Sequence, residues 1–324
     1  MAFNARGRYP NARCGAKAFS RFRYEGFSMT GTIALALHGG AGAKAGRDYS
    51  REVEHMRGLV EMARDRLSAG ASALDVVVET VAALEISGLY VAGRGASPNL
   101  AGAYELDASL MDGATGHAGA VAALIGLESP VAAARAVMEA TPHVMLAGAG
   151  AADFAGRQGL ARIHDPESWF TRAGAEESNH APGQAAGLSH GTVGCVVLDL
   201  EGRLAGSTST GGVFEKLPGR VGDAPIIGSG TWADRKVAIS CTGQGEFFMR
   251  VSAASQVAFR MRLTGQTLAD ATDAVLAEIK ALGGEGGMIA VGADGSVAMP
   301  YVSAGMKRAA LYPDGRIVSA AFAD

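Results

Sequence analysis

The chain has 324 residues, 48% of them hydrophobic, which is enough apolar material to pack one large domain or two small ones. Its 29 basic and 32 acidic residues give a net charge of −3, which excludes nucleic acid as the expected partner. Glycine occurs 46 times without a linker repeat, so we expect these glycines in tight turns and close backbone approaches.

The three cysteines and the first residues bear on the compartment. Cys14, Cys195 and Cys241 are an odd number without short spacings, which argues against disulfides and zinc and predicts a reducing, cytoplasmic setting. No apolar run is long enough to cross a membrane. Residues 1–28 are basic, and no secretory apolar segment follows them. We interpret them as a disordered extension upstream of a start at Met29; a targeting leader is the alternative.

The first half of the chain alternates strand and helix patterns. An apolar run over 33–37 ends in His38-Gly39-Gly40-Ala41-Gly42, which is typical of a buried strand entering a glycine turn. A helix capped by Ser50 is predicted to end before Gly70. The next begins at Ser72, with Asp75 completing a capping box. Further elements predicted here are strands over 104–110 and 120–125, a helix opening at Ser129-Pro130 and a short helix over 149–158.

A change of composition divides the chain. Residues 162–190 are rich in Pro, Gly, Ser, Asn and charge without a period, which predicts a linker or an exposed loop. Elements predicted beyond it are strands over 193–199, 203–210 and 237–242, one helix over 247–261, a second over 268–282 capped by Thr267, and strand pairs turning at 293–295 and 313–315. This order predicts two halves that share one sandwich of sheets covered by helices.

The linker meets the following strand at Gly191-Thr192-Val193-Gly194. A threonine hydroxyl is a poor nucleophile without a base. If the chain is cut before Thr192, that residue gains an α-amino group, and its pKa of about 8 lets it accept the hydroxyl proton at neutral pH. Glycine at 191 suits such a cut because it tolerates a strained backbone. The Gly-Thr pair alone is also compatible with an ordinary strand start, so its context decides.

Several ordered motifs supply that context. They are His38-Gly39-Gly40-Ala41-Gly42, Glu105-Leu106-Asp107-Ala108, Ser207-Thr208-Ser209-Thr210-Gly211-Gly212, Lys216-Leu217-Pro218-Gly219-Arg220-Val221-Gly222-Asp223 and Cys241-Thr242-Gly243-Gln244-Gly245-Glu246. With the sequence around Thr192, they resemble the plant-type L-asparaginase and isoaspartyl peptidase family of N-terminal-nucleophile (Ntn) hydrolases. The resemblance implies an α+β fold, a four-layer αββα sandwich. It also implies an α subunit (29–191), a β subunit (192–324) that completes the same domain, and an (αβ)2 dimer of cleaved protomers.

The same resemblance implies roles for the reacting groups. Thr192 attacks the carbonyl of Gly191 during maturation and the substrate carbonyl afterwards. Thr210 holds the Thr192 hydroxyl; an ordinary sheet threonine is the alternative. Thr242 and the N–H of Gly243 form the oxyanion hole, where glycine admits the backbone close to the developing charge.

It also implies how substrate is held. Arg220 binds the α-carboxylate through its planar fork, Asp223 binds the α-ammonium, and Gly245 lines the ammonium pocket beside Thr242 and Gly243. A surface ion pair between Arg220 and Asp223 is the alternative. The expected reaction is hydrolysis of isoaspartyl (β-aspartyl) dipeptides and L-asparagine, which releases L-aspartate without a catalytic cofactor. The sequence does not rank these two substrates.

A structural sodium ion is also implied, held by main-chain carbonyls, which suit a hard cation. The matching residues are Leu84, Glu85, Ser87, Tyr90, Ala92 and Arg94. Several positions depart from the family pattern, Trp232 and Asp234 among them. Val91 stands where an asparagine is usual, and Gln244 stands where a small hydroxyl residue is common.

Other functional interpretations have weaker support in the sequence. Gly187-Leu188-Ser189-His190-Gly191 has the spacing of a nucleophile elbow, but it lacks the preceding strand and the following helix. Single histidines are expected at the surface or as caps, and the turn after His38 has neither phosphate-loop nor dinucleotide spacing. Cys195 and Cys241 are expected to be inert core thiols. Two alternatives to the main function remain, a glycosylasparaginase-like amidase and an uncleaved relative that only binds an amino acid.

Overall fold

A computed structural model of the chain describes residues 31–171, 173 and 191–323. Within those residues the strands form two sheets. They are β1 (Ala34–Ala41), β2 (Leu106–Asp112), β3 (Ala118–Leu124), β4 (Met145–Ala147), β5 (Thr192–Leu198), β6 (Leu204–Thr210), β7 (Thr231–Ala233), β8 (Val237–Gly243), β9 (Gly286–Gly292), β10 (Val297–Ala298), β11 (Met306–Leu311) and β12 (Ile317–Ala320). The larger sheet has the order β12-β11-β1-β5-β6-β2-β3-β4, and the smaller has the order β10-β9-β8-β7.

The helices cover the outer faces of these sheets. They are α1 (Ser50–Ser68), α2 (Ala73–Ser87), α3 (Pro130–Ala140), α4 (Gly148–Arg157), α5 (Pro166–Trp169), α6 (Gly245–Val251), α7 (Ala253–Thr264) and α8 (Leu268–Ala281). In the part of the chain that the structure describes, no helix combines the length and apolar content that a bilayer crossing requires.

Three layers of buried apolar side chains lie between the helices and the two sheets. One packs α1 to α4 against the larger sheet around Leu37, Met56 and Val81. Another packs α6 to α8 against the smaller sheet around Phe248 and Val275. The third fills the space between the two sheets. The order helices, sheet, sheet, helices confirms the predicted αββα sandwich.

The two predicted halves interlock in the larger sheet. Strands β5 and β6, which follow the linker, lie between β1 and β2, which precede it. Strand β11 pairs on the other side of β1. Strands from before and after the linker therefore share one sheet, and the Thr192 end of β5 lies inside it.

The prediction of a single helix over 247–261 is wrong, because the helix is interrupted at Ser252. That residue has φ of 50° and lies between α6 and α7. The first amides of α7 do not continue the helical ladder of α6. Ala254 and Ser255 donate instead to the carbonyls of Ser229 and Gly228 in a neighbouring loop.

The prediction that 162–190 lacks structure is wrong for its first part. Arg162 forms a β-bridge with Leu127, and Pro166–Trp169 forms a short helix. Phe170 stacks on Tyr104 with ring centroids 3.7 Å apart, so long-range contacts order a segment without a visible period. Residues 1–28, Cys14 and 174–190 lie outside the described residues.

Helix caps are mostly as predicted. The side chains of Ser72, Ser129 and Thr267 each accept a backbone N–H at the start of their helices. Helix α1 differs, since Tyr49 is its N-cap and Ser50 is its first residue. The strands β4 and β7 were not predicted, because three residues are too few to show a period of two.

A pair of glycine substitutions tests the packing of α3 on the larger sheet. A Cβ at Gly119 in β3 would overlap the carbonyl oxygen of Ala134 in α3, whereas a Cβ at exposed Gly58 in α1 meets nothing. We expect Gly119→Ala to lower the free energy of unfolding by about 1–3 kcal/mol. Gly58→Ala should raise it by about 0.5–1 kcal/mol. Urea denaturation of both variants in a Thr192→Ala background, where one uncut chain unfolds, measures these changes; equal effects would contradict this packing.

Candidate active site

Thr192 begins β5 and is buried, with 6% of its surface exposed. It pairs with Thr210 on β6, and Thr210 pairs with Asp107 on β2. Directly opposed residues of antiparallel strands project to the same face of a sheet. The ladder register therefore sets Thr192, Thr210 and Asp107 in a row on one face.

The hydroxyl of Thr210 joins both sides of the Gly191–Thr192 peptide bond. It donates to the carbonyl oxygen of Gly191 at 3.1 Å and accepts the N–H of Gly212 at 3.0 Å. The Thr192 hydroxyl donates to Oγ1 of Thr210 at 3.2 Å. A hydroxyl has one proton, so the directions of these bonds are fixed. The Thr192 proton points toward Thr210, and the Thr210 proton points toward the Gly191 carbonyl.

Close packing around Gly191 explains why glycine stands there. A Cβ at this position would overlap the side chain of Val91, which is buried. On the other side, a Cβ at Gly40 would lie 3.2 Å from Cα of Gly191 and 3.4 Å from the nitrogen of Thr192. Gly40 also has φ of 105°, which favours glycine. The glycine turn of β1 and Val91 thus enclose the Gly191–Thr192 bond.

Thr242 approaches the same place from the smaller sheet. It lies near the end of β8, and its hydroxyl oxygen accepts the N–H of Ala41 at 3.1 Å. Ala41 follows Gly40, and a Cβ at Gly40 would lie 3.4 Å from the nitrogen of Thr192, so Thr242 and Thr192 both adjoin the glycine turn. A hydroxyl that accepts this N–H keeps its own proton to donate elsewhere. Gly243 has φ of 150°, and a Cβ there would lie 2.5 Å from the carbonyl oxygen of Glu285.

Arg220 forms a two-point ion pair with Glu246, with Nε and Nη2 at 2.9 and 2.8 Å from its two carboxylate oxygens. The predicted alternative of a surface pair with Asp223 is wrong, since the partner is Glu246 and the Arg220 side chain is only 16% exposed. The N–H of Gly219 donates to Oε1 of Glu105 at 2.9 Å, which ties the Arg220 loop to the segment before β2. Glu246 lies in one of the ordered motifs, but the motif alone assigns it no role.

Asp223 is buried beside Gly245. A Cβ at Gly245 would lie 2.8 Å from Oδ1 of Asp223, and Oδ2 has no hydrogen-bond partner among the described residues. Burial raises the pKa of Asp223 to about 7; Glu246 and Asp107 add to the rise, and Arg220 opposes it. A buried carboxylate with an unpaired oxygen is suited to receive a cationic ligand group.

A buried charge cluster lies behind Thr210 and the Arg220 loop. Nζ of Lys216 donates to the carbonyl of Glu105 at 2.8 Å and adjoins Gly212, the residue whose N–H reaches Thr210. Burial raises the pKa of Asp107 to about 6, and the charge of Lys216 limits that rise. Burial lowers the pKa of Lys216, and Asp107 and Glu105 oppose this. Lys216 is a site residue to which sequence reasoning gave no role.

The predicted sodium loop follows α2. A Cβ at Gly93 would lie 2.8 Å from the carbonyl oxygen of Glu85, and one at Gly95 would overlap that of Tyr90. The two glycines therefore leave room for carbonyls on the inner side of the turn, which fits a cation held by main-chain oxygens. The Glu85 side chain is not free to join them, since it accepts hydrogen bonds from Ser129, Val131 and Ser209. Among the described residues, no cluster of three His, Cys, Asp or Glu side chains could hold a metal.

Several single residues differ from the sequence-based expectation or confirm it. His38 is fully buried and contacts the carbonyl of Thr192, so the expectation of surface or capping histidines is wrong for it. Gln244 accepts the N–H of Glu285 at 3.0 Å, which ties its side chain to the segment before β9. Cys195 and Cys241 are buried free thiols, as expected for core residues, and burial raises the pKa of each.

Comparison with known proteins gives matches over most of the chain. The sequence profile of the asparaginase family matches residues 31–318. An isoaspartyl peptidase of Salmonella typhimurium is 47% identical over 295 residues, covering 85% of this chain and 94% of the relative. The Escherichia coli isoaspartyl peptidase is 46% identical over 298 residues, covering 86% and 92%. A plant-type L-asparaginase of Pyrobaculum calidifontis is 40% identical over 291 residues, covering 85% and 95%.

The raised pKa of Asp223 predicts a pH-dependent change in stability. Because its pKa rises from 3.8 to about 7 on folding, the folded protein holds a proton that the unfolded chain releases, and stability falls as pH rises through this window. Asp223→Asn removes that loss. We expect the variant to gain roughly 1–4 kcal/mol over its parent between about pH 4 and pH 8.

Urea denaturation measures this difference in a Thr192→Ala background, so that one uncut chain unfolds. Glu85 titrates in both proteins and cancels in the comparison. A difference between the two proteins that is the same at both pH values would show that Asp223 ionises normally.

Proposed function

The chain belongs to the asparaginase family, and on that premise we propose that it is a self-cleaving threonine amidohydrolase acting on isoaspartyl dipeptides and L-asparagine. The observation that carries the proposal is the row of hydrogen bonds from Thr192 through Thr210 to the Gly191 carbonyl. It places a nucleophilic hydroxyl, a hydroxyl that can pass a proton and an activated carbonyl next to one another. The isoaspartyl peptidase names of the relatives supply the substrate class.

Maturation uses the contacts of the uncut chain. Thr192 Oγ attacks the carbonyl carbon of Gly191; its proton passes to Thr210 Oγ, and the Thr210 proton moves to the carbonyl oxygen of Gly191. The Thr210 hydrogen bond to the carbonyl oxygen stabilises the charge that develops there. The C–N bond then breaks, its nitrogen takes a proton, and an ester joins Gly191 to Thr192. Water hydrolyses that ester and leaves a Gly191 carboxylate and a free Thr192 α-amino group.

Turnover repeats the attack on a substrate. The α-amino group of Thr192 accepts the hydroxyl proton, and Oγ attacks the side-chain carbonyl of the aspartyl group. We assign the oxyanion to the Thr242 hydroxyl, whose oxygen is oriented by Ala41, and to the N–H of Gly243. The leaving amine departs with a proton, and water cleaves the aspartyl ester to release L-aspartate.

Substrate recognition follows from the two charged groups of one loop. Arg220 presents a planar fork to the α-carboxylate, and an incoming carboxylate competes with Glu246 for it. Asp223, with its unpaired Oδ2, receives the α-ammonium beside Gly245. The ammonium also favours ionised Asp223, which offsets the effect of burial on its pKa.

Three further assignments belong to this proposal. The carbonyls of Leu84, Glu85, Ser87, Tyr90, Ala92 and Arg94 would hold a sodium ion that orders the turn. The cradle left by Gly93 and Gly95 supports this. We also infer an (αβ)2 dimer of cleaved protomers and a reducing, cytoplasmic setting. The buried free thiols of Cys195 and Cys241 support the latter.

Cleavage is the first test. Purified protein should give two bands on a denaturing gel, the smaller beginning at Thr192 by Edman sequencing. Thr192→Ala should remain one chain without hydrolytic activity, because it lacks the attacking oxygen. Thr192→Ser should still split. If the wild-type protein stays uncut, it is the amino-acid-binding relative considered above, and Val91 against Gly191 becomes the first suspect. Splitting of Thr192→Ala at this site would exclude Thr192 as nucleophile.

The carboxylate assignment is tested separately with Arg220→Lys. Lysine keeps the charge but loses the fork, so we expect KM for a β-aspartyl dipeptide to rise about tenfold or more. Self-cleavage involves no substrate carboxylate and should continue, which makes the gel an internal control. Steady-state kinetics on the cleaved variant measure the effect. An unchanged KM would exclude Arg220 as the carboxylate ligand.

A further inference from the structure

The ladder between β1 and β5 stops two residues short of Thr192. Its paired residues run from Ala34 opposite Leu198 to His38 opposite Gly194. Beyond His38 the register of β1 shifts as the chain enters the glycine turn. Nδ1 of the His38 imidazole lies 2.9 Å from the carbonyl oxygen of Thr192. A side chain thus supplies the carbonyl of Thr192 with a hydrogen bond where the regular ladder has ended.

The partners of His38 define its tautomer. A carbonyl oxygen only accepts, so Nδ1 carries the proton. Burial lowers the pKa of His38 to about 3; the bond to Thr192 opposes this, and the charge of Lys307 adds to it. The neutral ring therefore presents Nε2 as an acceptor, 2.9 Å from the hydroxyl of Ser240.

Hydroxyl groups continue this contact through the space between the sheets. Oγ1 of Thr208 lies 2.6 Å from Oγ of Ser240 and 2.6 Å from Oγ1 of Thr231. Oγ of Ser109 lies 2.8 Å from Oγ1 of Thr231 and 2.6 Å from the carbonyl oxygen of Ala224. All four hydroxyl residues are fully buried. The carbonyl of Gly230, 3.0 Å from Thr208, is a second acceptor for its proton.

Both ends of this hydroxyl chain reach the active site. One end is the carbonyl of Thr192, and the other is Ala224, the residue after Asp223. Gly194 is necessary for the connection, because a Cβ there would overlap Oγ of Ser240 and lie 2.5 Å from Nε2 of His38. The second glycine of the Gly191-Thr192-Val193-Gly194 motif therefore makes room for a side-chain hydrogen bond.

We propose that His38 is a positioning residue that holds the Thr192 carbonyl in its reactive orientation, with the hydroxyls of Thr231, Thr208 and Ser240 donating in turn toward Nε2 and so orienting the imidazole. This inference rests on the proposed function. Once the chain is cut, Thr192 has no covalent bond on its amino side. The hydrogen bond from His38 to its carbonyl then limits rotation of Thr192. It keeps the new amine beside Oγ, and Oγ within hydrogen-bond distance of Thr210.

Two substitutions of His38 separate positioning from packing. The amide nitrogen of asparagine occupies the place of Nδ1, whereas that of glutamine occupies the place of Nε2. We expect His38→Gln to lower kcat by about ten- to a hundredfold, with KM changed less than about twofold. His38→Asn should keep kcat within about threefold of wild type, although it leaves the larger void and should be the less stable variant.

Opposite rankings in kcat and in melting temperature support the proposal, because a packing role would rank both in the same order. Wild-type kcat in His38→Gln, or a rise in KM without a fall in kcat, would overturn it. All kinetic values are taken per cleaved Thr192 terminus, so incomplete maturation does not mimic a loss of kcat.

A matched pair tests the hydroxyl chain without touching His38. Thr208→Val has the same shape without the hydroxyl, and Thr208→Ser keeps the hydroxyl. We expect kcat to fall in the valine variant and to be largely restored in the serine variant. Equal kcat in the two variants would exclude a role for the chain.

The tautomer is read directly from the imidazole nitrogen chemical shifts of His38 in the wild-type protein. They should show a neutral Nδ1–H ring at about pH 6. An Nε2–H ring or an imidazolium would overturn the proposal. This measurement needs no activity, so it distinguishes failure of the His38 assignment from failure of the proposed function, which would appear as an inactive or uncut wild-type protein.

Discussion

The hydroxyl of Thr210 has one proton, and the site depends on where that proton goes. Thr210 donates this proton to the Gly191 carbonyl. The Thr210 hydroxyl oxygen can therefore only accept hydrogen bonds from Thr192 and from the amide of Gly212. Strand register fixes this arrangement, since Thr210 lies opposite Thr192 on one side and opposite Asp107 on the other. A slip of one residue would turn these side chains to opposite faces of the sheet. Precise pairing of β5 with β6 is therefore a requirement of the chemistry as well as of the fold.

Burial alone does not give a carboxylate a function in this protein. Glu85 and Asp223 are both buried, and burial raises the pKa of each to about 7. Glu85 receives hydrogen bonds from three groups and ties α2 to α3 and β6. Asp223 keeps an oxygen without a partner and lies beside the Arg220 loop. The difference lies in which lone pairs the protein leaves unsatisfied, and this separates a structural carboxylate from one that receives a ligand.

Local patterns predicted more of this molecule than long-range contacts did. Periodicity and caps identified α1, α2 and α8, and the ordered motifs selected Thr192, Thr210, Arg220 and Asp223. Strands of three residues and the break at Ser252 carry no local signal, since neighbouring loops cause them. His38 was missed for a similar reason. It lies 154 positions from Thr192, and nothing in its own segment indicates that its ring replaces a ladder bond.

The interleaving of the larger sheet sets the fate of the two polypeptides after the cut. Strand β1 of the first fragment pairs with β11 and β5 of the second, and β2 of the first pairs with β6 of the second. Three ladders therefore join the fragments. Cutting one bond therefore leaves the native assembly intact. Refolding differs between the two forms, because the precursor folds as one molecule whereas the separated fragments must first associate. Once cleaved and denatured, the protein should therefore regain its structure only at a rate that depends on protein concentration.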